Sequence, residues 1–593
     1  MKNKVILGIS FFYRKSSACL LVNGEIIAAA ENERFSRTRN DKNFPIQAIN
    51  FCLDYGKIDE DEVDYVFFYE FPSKGVSKIF KSSLTSKILN KLKPALKSQK
   101  FSFESLLKYH FPYFKGKILF SDHYHAHVAS AFYPSPYKNA AIITIDGLGK
   151  SSTTNISVGN GNKIQKLKQI YSYYSIGFFY SVFAKFLGLN VSSDVNNIMS
   201  LAQYGKPRYL KLFEDEIITI SEDGSIQLNT EYFNFFSENK IYTKKLEFLF
   251  KFSQKENLRK MSKFKIDIAC SVQLLTEKVV LNTARFAKRV TKLENLCISG
   301  SFVQNCVENT KVVNSKIFKN IWVQQVAGDS EVSIGAAYYG WYNFLKKRRK
   351  VSKNDSMKSG FLGPSYSTQE IKDFLELYNF PYEELSEHEI PNKIVKLLTN
   401  YKIIGVLQGR MGFGSSALCA RSIIGDPRNP KVVNKLDLNI GFNKLFEPIK
   451  SIILGKELKK LFQFSKKSEC LLFVNSIKID KRIEITKQVC GIQKILKLKK
   501  IPSFITAYSN FLSRIQSVDK LSVPRIRNIL AAFYSKTQVP LLINKPFNLN
   551  GDPVVCSLID AYRCMMTSDI DYILLENILV SKNKQPKWFK KID

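Results

Sequence analysis

A chain of 593 residues has the length of about four ordinary domains. Its 45% hydrophobic and 13% aromatic residues supply large cores, which excludes a mainly disordered or fibrous protein. Lys and Arg number 89 against 52 Asp and Glu, a formal charge of +37. Such a balance suits contact with phosphates, nucleotide-linked substrates, nucleic acid or an anionic membrane surface. The competing account is a coding bias towards Lys, Asn, Ile and Phe, since the charge is spread along the chain.

No apolar run approaches the roughly 20 residues that span a bilayer. The opening MKNKVILGISFFYRK is interrupted by Arg14 and Lys15 and reads as a first strand, not a signal peptide. Ten scattered cysteines without a C-x-x-C pair suit buried thiols in a reducing compartment. The expectation is a soluble cytoplasmic protein.

In chain order, VILGIS and SACLLVNGEIIAAAENE read as strand, loop, strand, turn, strand, with Asn23-Gly24 as a two-residue hairpin turn. AAIITIDG followed by KSSTTNISVGNGNKI repeats the pattern, with Gly159-Asn160-Gly161 as its turn. Two such units predict a duplicated α/β architecture of the kind that begins each half of actin-like and sugar-kinase-like folds. From 267 to 350 helix and strand alternate. SVQLLTEKVVLNTARFAKRVTK has apolar residues at helical spacing, ENLCISG is a buried strand, and IWVQQVAGDS is a strand ending at Gly328-Asp329. EVSIGAAYYGWYNFL is a small-residue helix suited to close packing. The run KKRRKVSKNDS (346–356) reads as a charged linker and the domain boundary; its first six residues also resemble a nuclear-localisation signal. A second domain then opens with Ser367 as helix N-cap and Glu370 completing a capping box. It mixes helices with the strands KIIGVLQ, VPLLINKPF and DYILLENILV, and its Lys-rich stretch 455–502 suggests a basic surface.

Three of the five histidines fall in five residues, at His123, His125 and His127. Ser121 or Asp122 can cap a helix through this segment. On it, His123 and His127 lie four apart and share a face, while His125 points elsewhere. Asp146 ends the strand AAIITID, and Asp329 ends a later strand in the same way. Two imidazoles and two carboxylates suit Fe, Mn or Zn with room for a substrate oxygen. The competing reading leaves the histidines as hydrogen-bonding surface residues and Asp146-Gly147 as a turn.

The segments GISFFYRKSSACLLVNGEIIAAAENERFSR, DHYHAHVASAFYPSP, AAIITIDGLG, IMSLAQYGKP, SGSFVQNCVEN, AGDSEVSIGAA, GRMGFGSSALCARSIIGDPRNP, SRIQSVDK and NKPFNLNGDPVVCSLIDAYRC occur in an order that resembles the NodU/CmcH-type carbamoyltransferases. The resemblance runs over nearly the whole chain. It implies an actin-like (ASKHA) metal-binding domain over 1–350, related to the tRNA threonylcarbamoyl-transferase subunit, and a YrdC-like α/β domain over 351–593. The second would make carbamoyl-adenylate from carbamoyl phosphate and ATP; in the first an acceptor hydroxyl would attack its carbonyl as AMP leaves. His123, His127, Asp146 and Asp329 fall on the family's metal-ligand positions, with iron the first choice and manganese or zinc the alternatives. Arg14 and Arg39 are the candidate catalytic residues. Gly300, Asn305, Arg410, Arg421, Lys444, Arg514, Asn544 and Asn548 are the candidates for binding nucleotide and carbamoyl phosphate.

Departures from the family pattern cluster at the donor site. Gly412 stands for an acidic residue, Ser416 for a phosphate-binding arginine, and Gly441, Asn443 and Glu447 for a basic cluster. Asn550 also replaces a common arginine. Each buried Arg–phosphate contact contributes about 1.5–3 kcal/mol, so adenylate formation would weaken unless Lys444, Lys450 or Lys545 substitutes, and Lys lacks the bidentate fork. Arg14 and Lys15 replace a His-Asp pair near the acceptor site, Asn197 and Ser200 replace Lys and Gly, and Ser301 replaces the second glycine of a pair. The first pair makes that end of the pocket basic and suggests an anionic sugar or glycan as acceptor. The expected function is an O-carbamoyltransferase acting on a small molecule or glycan. The alternative is a divergent member that no longer makes the adenylate and relies on another donor or a partner protein. RNA binding or tRNA modification stands third.

Overall fold

A computed structural model of the chain describes residues 3–12, 15–70, 99–147, 152–171, 174–189, 196–235, 241–251, 262–326, 328–352, 355–414, 417–429, 431–432, 435–436, 450–463, 470–476, 478, 512–518, 523–549 and 551–586. Packing divides it into two compact units. One comprises 1–172, 291–302 and 319–363, and the other 173–290, 303–318 and 364–593.

The first unit holds two five-stranded sheets of one topology. β1 (Val5–Ser10), β2 (Ser17–Val22) and β3 (Glu25–Glu31) form an antiparallel meander. β4 (Tyr65–Phe68) and β5 (Lys117–Phe120) extend it in parallel from β1, giving the order β3-β2-β1-β4-β5. The helix α1 (His123–Phe132) then leads into β6 (Asn139–Ile145), which pairs antiparallel with β7 (Ser152–Asn160); β8 (Lys163–Tyr171) completes a second meander. A small hairpin of β9 (Ile218–Ile220) and β10 (Ile226–Leu228) and the long helix α2 (Lys263–Thr291) follow in the chain and fall, but for the last residue of α2, in the second unit. β11 (Asn295–Ser299) and β12 (Asn320–Val323) then join β6 in parallel, for the order β12-β11-β6-β7-β8. The repeated pattern is the duplicated actin-like architecture expected from the two strand–loop–strand units.

Asn23 and Gly24 form the β2–β3 turn, both with positive φ (52° and 88°), as a primed hairpin turn requires. In the second meander Asn160 pairs with Lys163, so the loop is Gly161-Asn162 and not the predicted Gly159–Gly161. β12 also stops sooner than expected: the buried Gln324 bonds the Ser130 carbonyl through its side-chain amide and accepts from Val326 N–H. Asp329 therefore lies in the turn before the helix α4 (Glu331–Tyr339) and not at a strand end. α4 is the small-residue helix, and it packs as closely as predicted: a Cβ on Gly335 would lie 1.8 Å from the Ala126 carbonyl oxygen on α1.

The stretch read as a linker holds an anchor. Arg349 is buried, donates to the carbonyls of Phe132, Tyr133, Ser135 and Tyr137, and stacks over the Phe132 ring. That leaves the basic run without the accessible arginine a localisation signal needs at this position.

The second unit contains α3 (Cys306–Asn314) and a nine-stranded mixed sheet, with the order β13-β21-β20-β14-β15-β19-β16-β18-β17. Its strands are β13 (Glu383–Glu384), β14 (Ile404–Leu407), β15 (Arg421–Gly425), β16 (Lys450–Leu454), β17 (Val474–Ser476), β18 (Leu512–Val518), β19 (Leu541–Pro546), β20 (Tyr572–Leu575) and β21 (Ile578–Ser581). DYILLENILV is thus a hairpin, turning at Glu576 with φ 50°. Ser367 caps the helix Thr368–Leu377 in the predicted capping box with Glu370. The Lys-rich 455–502 stretch falls largely outside the described residues. Among the described residues nine cysteines are free thiols, and no helix is long and apolar enough to cross a membrane.

Candidate metal centre

α1 begins at Asp122, whose carboxylate accepts from His125 N–H at 2.9 Å and so caps the helix. The cap also holds the His125 ring, 3.0 Å from Asp122 Oδ2. His123 and His127, one turn apart, face the end of β6. Their rings meet edge to face with centroids 4.6 Å apart.

Asp146 follows the last residue of β6 and meets both rings. His123 Nε2 lies 3.3 Å and His127 Nε2 2.9 Å from the same oxygen, Asp146 Oδ2. Asp146 Oδ1 accepts from Ser301 N–H at 2.8 Å, and the Ser301 hydroxyl accepts from Gly147 N–H. One carboxylate oxygen is pinned by backbone while the other is turned to the histidines. Ser301, where the family pattern has glycine, thus contributes a bond that glycine lacks.

Behind His127 stands Glu331, in the first turn of α4 and wholly buried. Its Oε1 lies 2.6 Å from His127 Nδ1 and accepts from Gly300 N–H at 2.9 Å. Gly300 has φ 103°, and a Cβ there would lie 2.2 Å from the Ile145 carbonyl oxygen, so only glycine brings this N–H to the carboxylate.

Burial opposes charge at each group, and partners decide the outcome. Asp146 and Glu331 outweigh burial to hold His127 well above the ordinary imidazole value. The two histidines outweigh it to hold Asp146 well below the carboxylate range. At Glu331 burial wins and pushes the carboxyl up to about 7, with His127 and Gly300 opposing.

The donor set fits a divalent cation. One ligand atom from each of His123, His127 and Asp146 lies within 4.8 Å of the others. His127 Nε2 is buried 2.9 Å from Asp146 Oδ2, a pair that a shared proton bridges without metal and a divalent cation would bridge as two ligands. Two imidazoles and a carboxylate suit Fe, Mn or Zn with positions left open. The converging set does not include Asp329, which is half-buried in the turn preceding α4.

Of the candidate catalytic residues, Arg39 is exposed and Arg14 lies outside the described residues. Lys15 is not available to an anionic acceptor: it pairs with Glu31 at 3.3 Å and Glu33 at 3.5 Å. Arg34 and the Ser330 hydroxyl complete this buried network around Glu31.

In the second unit Arg421 is fully buried, and its guanidinium donates to the carbonyls of Gln408, Gly409, Ala420 and Pro364. Asn544 bonds Gln516 Oε1 at 3.4 Å, Asn548 bonds the Asp552 carbonyl, and Lys545 bonds the Leu436 carbonyl. Asn305 caps α3 and bonds Gln273. Asn309 of that helix and Arg514 both hold the segment leading into β17, through the carbonyls of Leu472 and Leu471. Arg410 is half-buried just beyond β14. Lys444, like Ser416, Gly441, Asn443, Glu447 and Asn550, lies outside the described residues.

Glu331 was missed in the sequence, although it sits two residues beyond Asp329 in AGDSEVSIGAA. An acidic residue in a helix's first turn is ordinary; only packing shows that this one points inward.

Fold and site together define an α/β protein with a duplicated actin-like part and a buried His-His-Asp donor set. The sequence matches the family model for the carbamoyltransferase N-terminus over residues 5–338 and that for the carbamoyltransferase C-terminus over 395–582. It is 35% identical to the uncharacterized protein sll1178 of Synechocystis sp., covering 98% of this chain and 97% of that one. It is 24% identical to the nodulation protein NolNO of Sinorhizobium fredii, covering 96% and 79% respectively. With the uncharacterized protein MJ1051 of Methanocaldococcus jannaschii it shares 26% identity, over 98% and 100%. The chain belongs to the carbamoyltransferase family and is a carbamoyltransferase.

Proposed function

We propose that this enzyme is an O-carbamoyltransferase that passes a carbamoyl group from carbamoyl phosphate, through carbamoyl-adenylate made with ATP, to a hydroxyl of a small molecule or glycan. Adenylate formation consumes one water and releases phosphate and pyrophosphate; attack by the acceptor hydroxyl then forms the carbamate ester and releases AMP. Residues 351–593 would make the adenylate and 1–350 would carry out transfer. The observation that carries this reading is the convergence of one ligand atom each from His123, His127 and Asp146 within 4.8 Å in a carbamoyltransferase family.

These three residues would hold a divalent metal, iron first and manganese or zinc as alternatives, with Asp329 as a further ligand by family resemblance. Such a cation polarises a carbonyl oxygen and stabilises the negative charge that develops on it. The chain's own groups prepare the site: Ser301 N–H keeps Asp146 turned inward, and Glu331 orients His127. Arg410 and Arg514 are the retained arginines offered to the donor phosphates. With Lys15 neutralised by Glu31 and Glu33, an anionic acceptor would have to be recognised by Arg14 or Arg39.

The test is pyrophosphate release by iron-reconstituted protein given ATP and carbamoyl phosphate, with the adenylate sought by mass spectrometry. Release that needs both substrates is the expected result. No release from folded, metal-loaded protein overturns the adenylate route and turns attention to a partner protein that supplies the donor.

A further inference from the structure

We propose that Glu331 is a positioning residue that fixes His127 in the tautomer with its proton on Nδ1, and thereby sets the affinity and coordination of the metal. This rests on the metal-site reading above and deepens it.

The geometry leaves His127 one arrangement in which to bind an ion. Glu331 Oε1 lies 2.6 Å from Nδ1 and already accepts a backbone N–H from Gly300. It is therefore an acceptor, and Nδ1 is the donor. A neutral imidazole that donates from Nδ1 has its lone pair on Nε2, the nitrogen that faces Asp146 Oδ2 and His123. A carboxylate behind a ligating imidazole also raises its basicity.

The pairing is rigid from both sides. Glu331 enters from α4, held against α1 by the contact of Gly335 with the Ala126 carbonyl; Gly300 N–H reaches it only because residue 300 has no side chain. His127 is held again at its own backbone, where the carbonyl accepts from the hydroxyls of Ser130 and Ser299. The His123 ring meets Asp146, the His127 ring and the Tyr69 ring 5.6 Å away, and no second carboxylate bonds it among the described residues. The two histidines are thus unequal, and Glu331 makes His127 the anchored ligand.

Cobalt(II) is the probe, because its visible absorption reports ligand geometry while titration gives affinity. The full-length protein is compared with E331L, E331Q and H127A, and the thermal midpoint of each metal-free variant is measured. E331L is expected to weaken cobalt binding 10–100-fold and to alter the absorption envelope. E331Q, whose amide oxygen can still accept from Nδ1, should recover most of the affinity. Cobalt affinity and spectrum unchanged in both variants would overturn the proposal; if E331L fails to fold, an E331Q spectrum and affinity far from wild type, with its midpoint preserved, would overturn the tautomer argument in favour of a need for charge alone. Wild-type protein that binds no cobalt, or binds it equally well after H127A, would overturn the metal-site reading itself and this proposal with it.

Discussion

The metal centre and the candidate donor residues of the second unit both bury polar side chains, but they satisfy them differently. At the metal centre, Asp146 and Glu331 use one oxygen each on backbone N–H groups, and His127 Nε2 faces Asp146 Oδ2 at 2.9 Å, beside the His123 ring. In the second unit, Arg421 spends its guanidinium on four carbonyls, and Asn548 and Lys545 likewise bond carbonyls. Buried side chains that turn their polar atoms on one another, and not on backbone alone, are arranged for a ligand. One that closes its bonds on backbone is arranged for the fold, since a buried guanidinium must find acceptors of its own.

Substitutions separate the two behaviours, starting from the largest effect. D146N should cut carbamoyl transfer at least about 100-fold and lower bound metal, while Ser301 N–H still finds an acceptor and the thermal midpoint moves little; metal analysis and turnover on one preparation check this. A large fall in midpoint would place Asp146 with the scaffold instead. R421A should do the reverse. Four hydrogen bonds to carbonyls are lost at a net of about 0.5–1.5 kcal/mol each, together with the packing of a large buried side chain, so urea denaturation should show a loss of at least about 3 kcal/mol.

Glu31 sharpens the comparison inside the first unit. Burial opposes its ionisation, but Lys15 and Arg34 outweigh it and hold the carboxyl at about 2, below the ~4.3 of a free Glu. Its contribution is therefore fully present above about pH 4.3 and is lost as the pH falls through the folded value. E31Q should cost up to about 3 kcal/mol at neutral pH and flatten the acid limb of the stability profile, measured by denaturation between pH 2 and 7. A smaller effect comes from G335A, whose new methyl must part α4 from α1. Overpacking of this kind costs about 1–3 kcal/mol, and because α4 carries Glu331, cobalt affinity should fall with it.

Local patterns carried much of this protein into view. The Asn23-Gly24 turn, the capping box at Ser367 and Glu370, and the one-turn spacing of His123 and His127 are all short-range, and each formed as its chemistry requires. Asp146 was legible for the same reason, because a buried apolar run had to end just before it. The duplicated architecture followed from two meanders whose turns and alternation lie within a few residues of each other.

Partnerships across the sequence were settled only by the tertiary structure. His127 and Glu331 are 204 positions apart and Asp146 and Ser301 155 apart, and nothing local tells an inward Glu from a solvated helix-terminal one. Lys15 read as a free basic group until Glu31 and Glu33 were found against it, and Asp329 lost its strand end to the hydrogen bonds of Gln324. Arg349 and Arg421 read as available for phosphate or solvent, whereas carbonyls such as those of Phe132 and Pro364, far away in the sequence, hold their guanidinium groups. Residue type and spacing determined which chemistry this chain can perform, because turns, caps and helix faces depend on near neighbours. Which of those groups remain available to perform it was decided by burial, since a polar group removed from water takes whatever partner the fold brings to it.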